Sequence, residues 1–245
     1  YRPFKSRMYK LTRTIAIQLI VMCYCFNIEA STKTVNNNLW IHYIGKLQFK
    51  PQWFFTFETS DRHTDWGKQH QQWFIRPSID YTFNKFISSS IGYSHYKTFS
   101  YGNPAMFKTP LEEDHIWAQI STQCFYKKWS VSNRIRNENR FIGTDKTYRN
   151  RLRYMLLFSY PISPKKLFIQ FGDEAFFNLG SYSGKSLMSQ NRIIAGLAWF
   201  YKPNFQIQLN YIHQNIWNYS NTIFENNPTI RLSILNNFKL YKNEK

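Results

Sequence analysis

The chain has 245 residues, 43% of them hydrophobic and 19% aromatic, yet its mean hydropathy is −0.51. Many aromatics at negative hydropathy argue against helical membrane spans, which need about 20 consecutive apolar residues, and suit strands of alternating polarity. The formal charge of +18 raises nucleic acid first, but no basic helix, zinc spacing or RNA-binding sheet motif gathers the cations, so no nucleic-acid partner is expected. Cations in a lumen, or at a rim facing anionic lipid, account for the same charge.

In chain order, residues 8–30 have the layout of a secretory signal, with Lys10 and Arg13 ahead of an apolar core from Ile15 to Phe26. Ile28-Glu29-Ala30 reads as the cleavage site and Met8 as the start. The expected organisation is therefore 1–30 as upstream residues and signal peptide, and 31–245 as one β-domain. Cys23 and Cys25 fall in the signal, which leaves Cys124 alone and excludes a disulfide framework or cysteine metal site in the processed chain.

After a polar lead, Ser31 to Asn38, period-2 segments follow at a steady pace. They are Leu39–Phe49, Trp53–Arg62, Gln72–Thr82, Phe86–Thr98 and Glu113–Tyr126, then a central hairpin from Trp129 to Tyr160. Leu167–Asn178, Ser189–Tyr201, Phe205–Trp217 and Thr229–Leu240 complete the set. His63 to His70, Phe99 to Leu111, Leu179 to Ser186 and Asn218 to Pro228 read as the longer loops, alternating with tight turns such as Asn84-Lys85 and Lys202-Pro203-Asn204.

The central hairpin decides the polarity. Ser132, Arg134, Arg136, Glu138 and Arg140 share one face of its first strand; Arg149, Arg151 and Arg153 share a face of the second, opposite Leu152, Tyr154, Leu156, Phe158 and Tyr160. A charged face backed by a greasy one is the inverse of a soluble core and fits a membrane barrel, with lipid outside and a polar lumen. The expected fold is all-β: an antiparallel up-and-down transmembrane β-barrel of about ten to twelve strands. Eleven segments are visible, and Ser31 to Asn38 would supply a twelfth, the preferred count because bacterial barrels of this type are even-numbered.

The sequence also resembles a family of outer-membrane barrels catalogued as domain of unknown function 2490. The resemblance rests on Trp40 with Lys46, Glu58 to Arg62, Arg76-Pro77-Ser78-Ile79-Asp80-Tyr81 running to Gly92-Tyr93, and His115-Ile116-Trp117-Ala118-Gln119. It continues through residues 133–141, Arg151-Leu152-Arg153-Tyr154, residues 173–178 and Gln190-Asn191-Arg192. His115 stands where such sequences more often carry an arginine. The resemblance implies a Gram-negative outer-membrane barrel and supplies no activity.

Alternation aims a ladder of charges inward: Glu58 and Arg62, Arg76 and Asp80, Arg134, Arg136, Glu138 and Arg140, Arg151 and Arg153, Glu174 and Arg192. One reading is a barrel filled by interlocking arginine–carboxylate pairs. Another is an electropositive constriction, a porin-like narrow anion-favouring pore or a ligand-binding lumen for a small anionic solute. An outer-membrane lipid-acting hydrolase is a third, although His213 upstream of Ser220-Asn221 departs from the phospholipase spacing and Ser94 and His95 are strand neighbours on opposite faces. A soluble secreted lipocalin-like barrel is the fourth. No catalytic set, metal-ligand cluster or cofactor is expected; the expected partners are outer-membrane lipids and, during insertion, the barrel-assembly machinery.

Overall fold

The computed structural model describes residues 32–102, 109–164, 166–180, 187–217 and 223–240. The expected signal segment lies outside them. Twelve strands follow in chain order: β1 (Thr32–Val35), β2 (Asn38–Lys50), β3 (Trp53–Thr64), β4 (Gln69–Asn84), β5 (Ile87–Thr98) and β6 (Leu111–Tyr126). Then come β7 (Trp129–Ile142), β8 (Thr147–Ser163), β9 (Leu167–Leu179), β10 (Met188–Lys202), β11 (Phe205–Trp217) and β12 (Ile223–Lys239).

Each strand from β2 to β12 pairs antiparallel with the next, and β12 returns to β2 to close the ring. The closing pair is parallel, running from Thr229 opposite Asn38 to Lys239 opposite Gln48. The stretch expected to give a twelfth strand does so as β1, but β1 only prolongs the line of β2 along β12, parallel to it from Thr32 opposite Ile223 to Val35 opposite Asn226. The ring itself therefore holds eleven strands. In an up-and-down wall direction alternates, so an odd ring must bring two like-directed strands together at the seam.

Two boundaries differ from expectation for local reasons. The His63–His70 segment is no loop: His63 and His70 pair across β3 and β4, and the chain reverses in a single turn at Asp65–Gly67, where Asp65, Trp66 and Gly67 all have positive φ. β12 begins well before Thr229 and carries Pro228 inside it, paired with His213 of β11. Proline has no N–H for a ladder. Pro228 is accommodated because its other flank falls between β1 and β2, at the Asn36–Asn37 break.

Short turns gather at one end of the ring, longer connections at the other, and β1 stands with the longer ones. The outer wall is apolar and bare: Ile91 is 66% exposed, and Ile116, Ile120, Ile135, Leu209 and Leu232 are exposed as well. Near the short turns the outer rings crowd together, Trp53 on Tyr81 at 4.8 Å, Tyr81 on Phe83 at 4.9 Å and Trp129 on Tyr160 at 4.8 Å. Inside, polar and charged groups are buried. A soluble barrel would invert this arrangement.

The seam register predicts a cross-link. In an otherwise cysteine-free background, Ile41→Cys with Leu232→Cys, paired on the outer face, forms an intramolecular disulfide on mild oxidation, read as a reductant-sensitive change in gel migration. Ile41→Cys with Ser233→Cys, one residue out, does not; equal cross-linking of both pairs would refute the parallel seam.

Candidate functional site: an arginine-lined lumen

The β7–β8 register sets Arg136 opposite Arg153 and Glu138 opposite Arg151. Like charges facing each other across strands repel, so the hairpin needs acid from elsewhere. Glu174, on β9, provides it. Arg153 spans the two carboxylates, 2.7 Å from Glu138 Oε1 through one terminal nitrogen and 2.7 Å from Glu174 Oε1 through the other. Arg151 donates to Glu138 Oε2 at 2.6 Å, Arg134 donates to Glu174, and Arg192 lies 3.4 Å from Glu174 Oε2. Glu138 and Glu174 are 0% and 3% exposed, and each buried carboxylate is held by several guanidiniums.

Two smaller knots flank this net. Glu58 accepts from Arg76 at 2.8 Å and lies 2.8 Å from His42; Glu113 accepts from Arg140 at 2.6 Å and lies 3.0 Å from His115. Guanidinium edges take the hydrogen bonds, and their faces lie on aromatic plates inside the lumen. Arg62 covers Trp40 at 4.2 Å, Arg136 covers Trp117 at 4.1 Å, Arg76 covers Phe74 at 4.6 Å and Arg153 covers Phe176 at 4.6 Å. These rings are almost wholly buried. Trp117 lies across β5 only because residue 92 is glycine: a Cβ there would come within 2.4 Å of the indole and 2.6 Å of the Pro77 carbonyl oxygen.

Arginines outnumber carboxylates, and the surplus is localised. In the ladder, Arg231 (β12), Trp40 (β2) and Arg62 (β3) stand in one row across the seam. Arg62 donates to Gln72 Oε1 at 2.6 Å and Arg231 to Asn210 Oδ1 at 3.1 Å. Among the described residues neither has a carboxylate within ion-pair reach, and the Nε–H of each is buried without an acceptor. Both line a cavity of about 350 Å³, together with Glu58, Arg192, Asn210 and Gln214. At the long-loop end Glu225, fully buried, accepts from Asn36 at 3.2 Å, from Asn227 at 2.8 Å and from the Tyr101 hydroxyl at 3.4 Å.

All twelve residues of the ladder expected from the sequence stand on the inner face. Asp80 is apart from the rest: it accepts from Ser78 at 3.1 Å and faces Lys46 at 3.9 Å, with no arginine partner among the described residues. Sequence reasoning missed Arg231, Glu113, His42 and Glu225, although the same alternation carries each: Arg231 and Ser233, for example, oppose Ile230 and Leu232. Of the weighed hydrolase sets, only Ser94 with His95 lies within the described residues, and it does not assemble. Ser94 faces inward, accepting from Trp117 at 2.9 Å, while His95 lies outside against Asp114 at 2.8 Å. His213, on the outer wall, approaches Asn226 at 3.3 Å; Ser220 and Asn221 lie outside the described residues.

The model of a family described as "Protein of unknown function (DUF2490)" matches residues 37–225. No curated protein matches the chain significantly. A crystal structure of the siderophore receptor PirA from Pseudomonas aeruginosa aligns at 8% identity and a TM-score of 0.28, over 69% of this chain and 32% of that one. The chain thus spans about a third of that receptor's length.

The net predicts opposite outcomes for two substitutions. Glu138→Gln strands several buried guanidiniums and destabilises the fold by about 3–5 kcal/mol. Arg231→Met removes a part-buried charge with no carboxylate within ion-pair reach among the described residues and is neutral or stabilising. The temperature at which the compact band converts to the unfolded one in semi-native electrophoresis measures both.

Proposed function

The chain belongs to the DUF2490 family, and we propose that it is an outer-membrane β-barrel whose lumen binds a small anionic solute. The bare apolar wall supports a lipid surrounding, with aromatic rings at the short-turn boundary where an amphipathic ring has one wet end. Its lipid partners are those of the outer membrane, reached after export and insertion by the barrel-assembly machinery. The cations face the lumen in place of an exposed stripe, which disfavours nucleic acid.

One observation carries the anion reading: the Arg231–Trp40–Arg62 row lines the cavity with two guanidiniums that have no carboxylate within ion-pair reach among the described residues. The strands around it are poor in acid. Within β10, β11, β12 and β2 Glu225 is the only carboxylate, and it lies at the mouth. A volume of about 350 Å³ falls at the lower end of ligand pockets. Arg76, Arg153 and Glu174 also line it, and with Arg136 and Glu138 they are each at most 5% exposed, which favours a held solute over a wide pore.

Calorimetric titration of the detergent-folded barrel with inorganic phosphate tests this. Wild type binds saturably, and Arg62→Gln with Arg231→Gln weakens binding about 10- to 100-fold, the worth of one charge-assisted hydrogen bond or more. Unchanged affinity in the double variant would refute the site. In planar bilayers, the small current expected favours chloride over potassium in wild type and loses that preference in the double variant.

A further inference from the structure

On the outer face of the same barrel, at its long-loop end, three side chains meet that the lumen does not use. We infer that Asp61, His63 and His70 form a binding site for a borderline divalent transition-metal ion, with Zn²⁺ the best match. Asp61 and His63 are two residues apart on β3 and share its outer face; His70 is the ladder partner of His63 on β4. His63 Nε2 lies 3.0 Å from Asp61 Oδ2 and His70 Nε2 lies 2.8 Å from Asp61 Oδ1. The ligand atoms of all three fall within 4.8 Å of one another. Bonds of about 2.0–2.1 Å in tetrahedral geometry place ligand atoms about 3.3 Å apart, so small side-chain rotations suffice to enclose an ion.

The backbone is shaped to bring them together. Between the rungs Arg62–Gln72 and His63–His70 the register slips by one residue on β4, and Gln71 is the extra one. Gln71 turns into the lumen, where it accepts from the Trp40 indole at 3.3 Å. In an unbroken strand His70 would share the inward face of Gln72; the bulge re-aims it to the outer face. Phe99 then stacks on the His70 ring at 4.3 Å, and the two imidazoles stack at 5.0 Å, which holds both rings in place. His70 Nε2 is shielded yet makes no hydrogen bond, since its approach to Asp61 is poorly aligned for one. A nitrogen lone pair in that position is suited to a metal.

Two imidazoles and a carboxylate select Zn²⁺, Co²⁺, Ni²⁺ or Cu²⁺ over Mg²⁺ or Ca²⁺, which prefer oxygen alone. Asp61 is 53% exposed in its side chain, so a fourth position is open to water or to a group from outside. The proposal is independent of the anion-binding lumen, and either can fail without the other.

The test is titration of the detergent-folded full barrel with Co²⁺, read by visible absorption, and with Zn²⁺, read by calorimetry. Wild type takes one ion per chain with tetrahedral Co²⁺ bands, and Mg²⁺ or Ca²⁺ does not displace it. His63→Gln and His70→Gln, separately, weaken binding at least about 100-fold, the upper end of what losing even an outer partner of a ligand costs. His95→Gln and His213→Gln leave it unchanged. An unaltered heat-dependent band shift shows that the variants fold. No saturable binding in wild type, or binding that survives His63→Gln with His70→Gln, would overturn the site.

Discussion

A guanidinium cannot be buried without an acceptor for its edge and a surface for its face, and this barrel is organised by that requirement. Glu138 and Glu174 each gather arginines from several strands, and Arg153 joins them into one net across β7, β8, β9 and β10. Trp117, Phe74 and Phe176 supply the plates. Because breaking one buried pair leaves an uncompensated charge, such a net acts as a lock on register more than as a source of stability. A one-residue slip would turn every arginine towards the outer wall.

The closure of the ring places the unpaired arginines. Eleven alternating strands leave β2 and β12 running in the same direction, and the seam between them lies in the part of the wall where acids are scarcest. Arg231 and Arg62 flank Trp40 there with only amide partners, so the positive surplus of the lumen has an address. Net residues such as Arg153 and Glu174 line the same cavity, but there each charge already has its partner. Glu225, at the long-loop end, is held by the neutral partners Asn36, Asn227 and Tyr101 and does not offset the seam arginines by an ion pair.

Much of this was legible from alternation. Strand after strand, side chains two apart declared their face, and the ladder from Glu58 to Arg192 stands inside the ring as spacing required. What alternation could not show was depth and partnership. Asp80 alternates like Glu58 but sits near Lys46, away from the arginines. Pro228 reads as a loop residue because proline ends ladders, and only the gap between β1 and β2 makes it harmless. The odd ring was invisible because a mostly polar lead of eight residues cannot reveal whether it forms a full strand or a short extension. His63 and His70 looked like the two ends of a loop; a tight turn with three positive-φ residues and a bulge at Gln71 make them neighbours.

The most direct test of the account is semi-native electrophoresis of the protein extracted from an outer-membrane fraction. A closed barrel with an apolar outside and a locked polar inside predicts a compact, detergent-resistant band that shifts on boiling, released from the membrane only by detergent. A protein recovered in the periplasmic fraction without detergent, and with no shift on boiling, would contradict it.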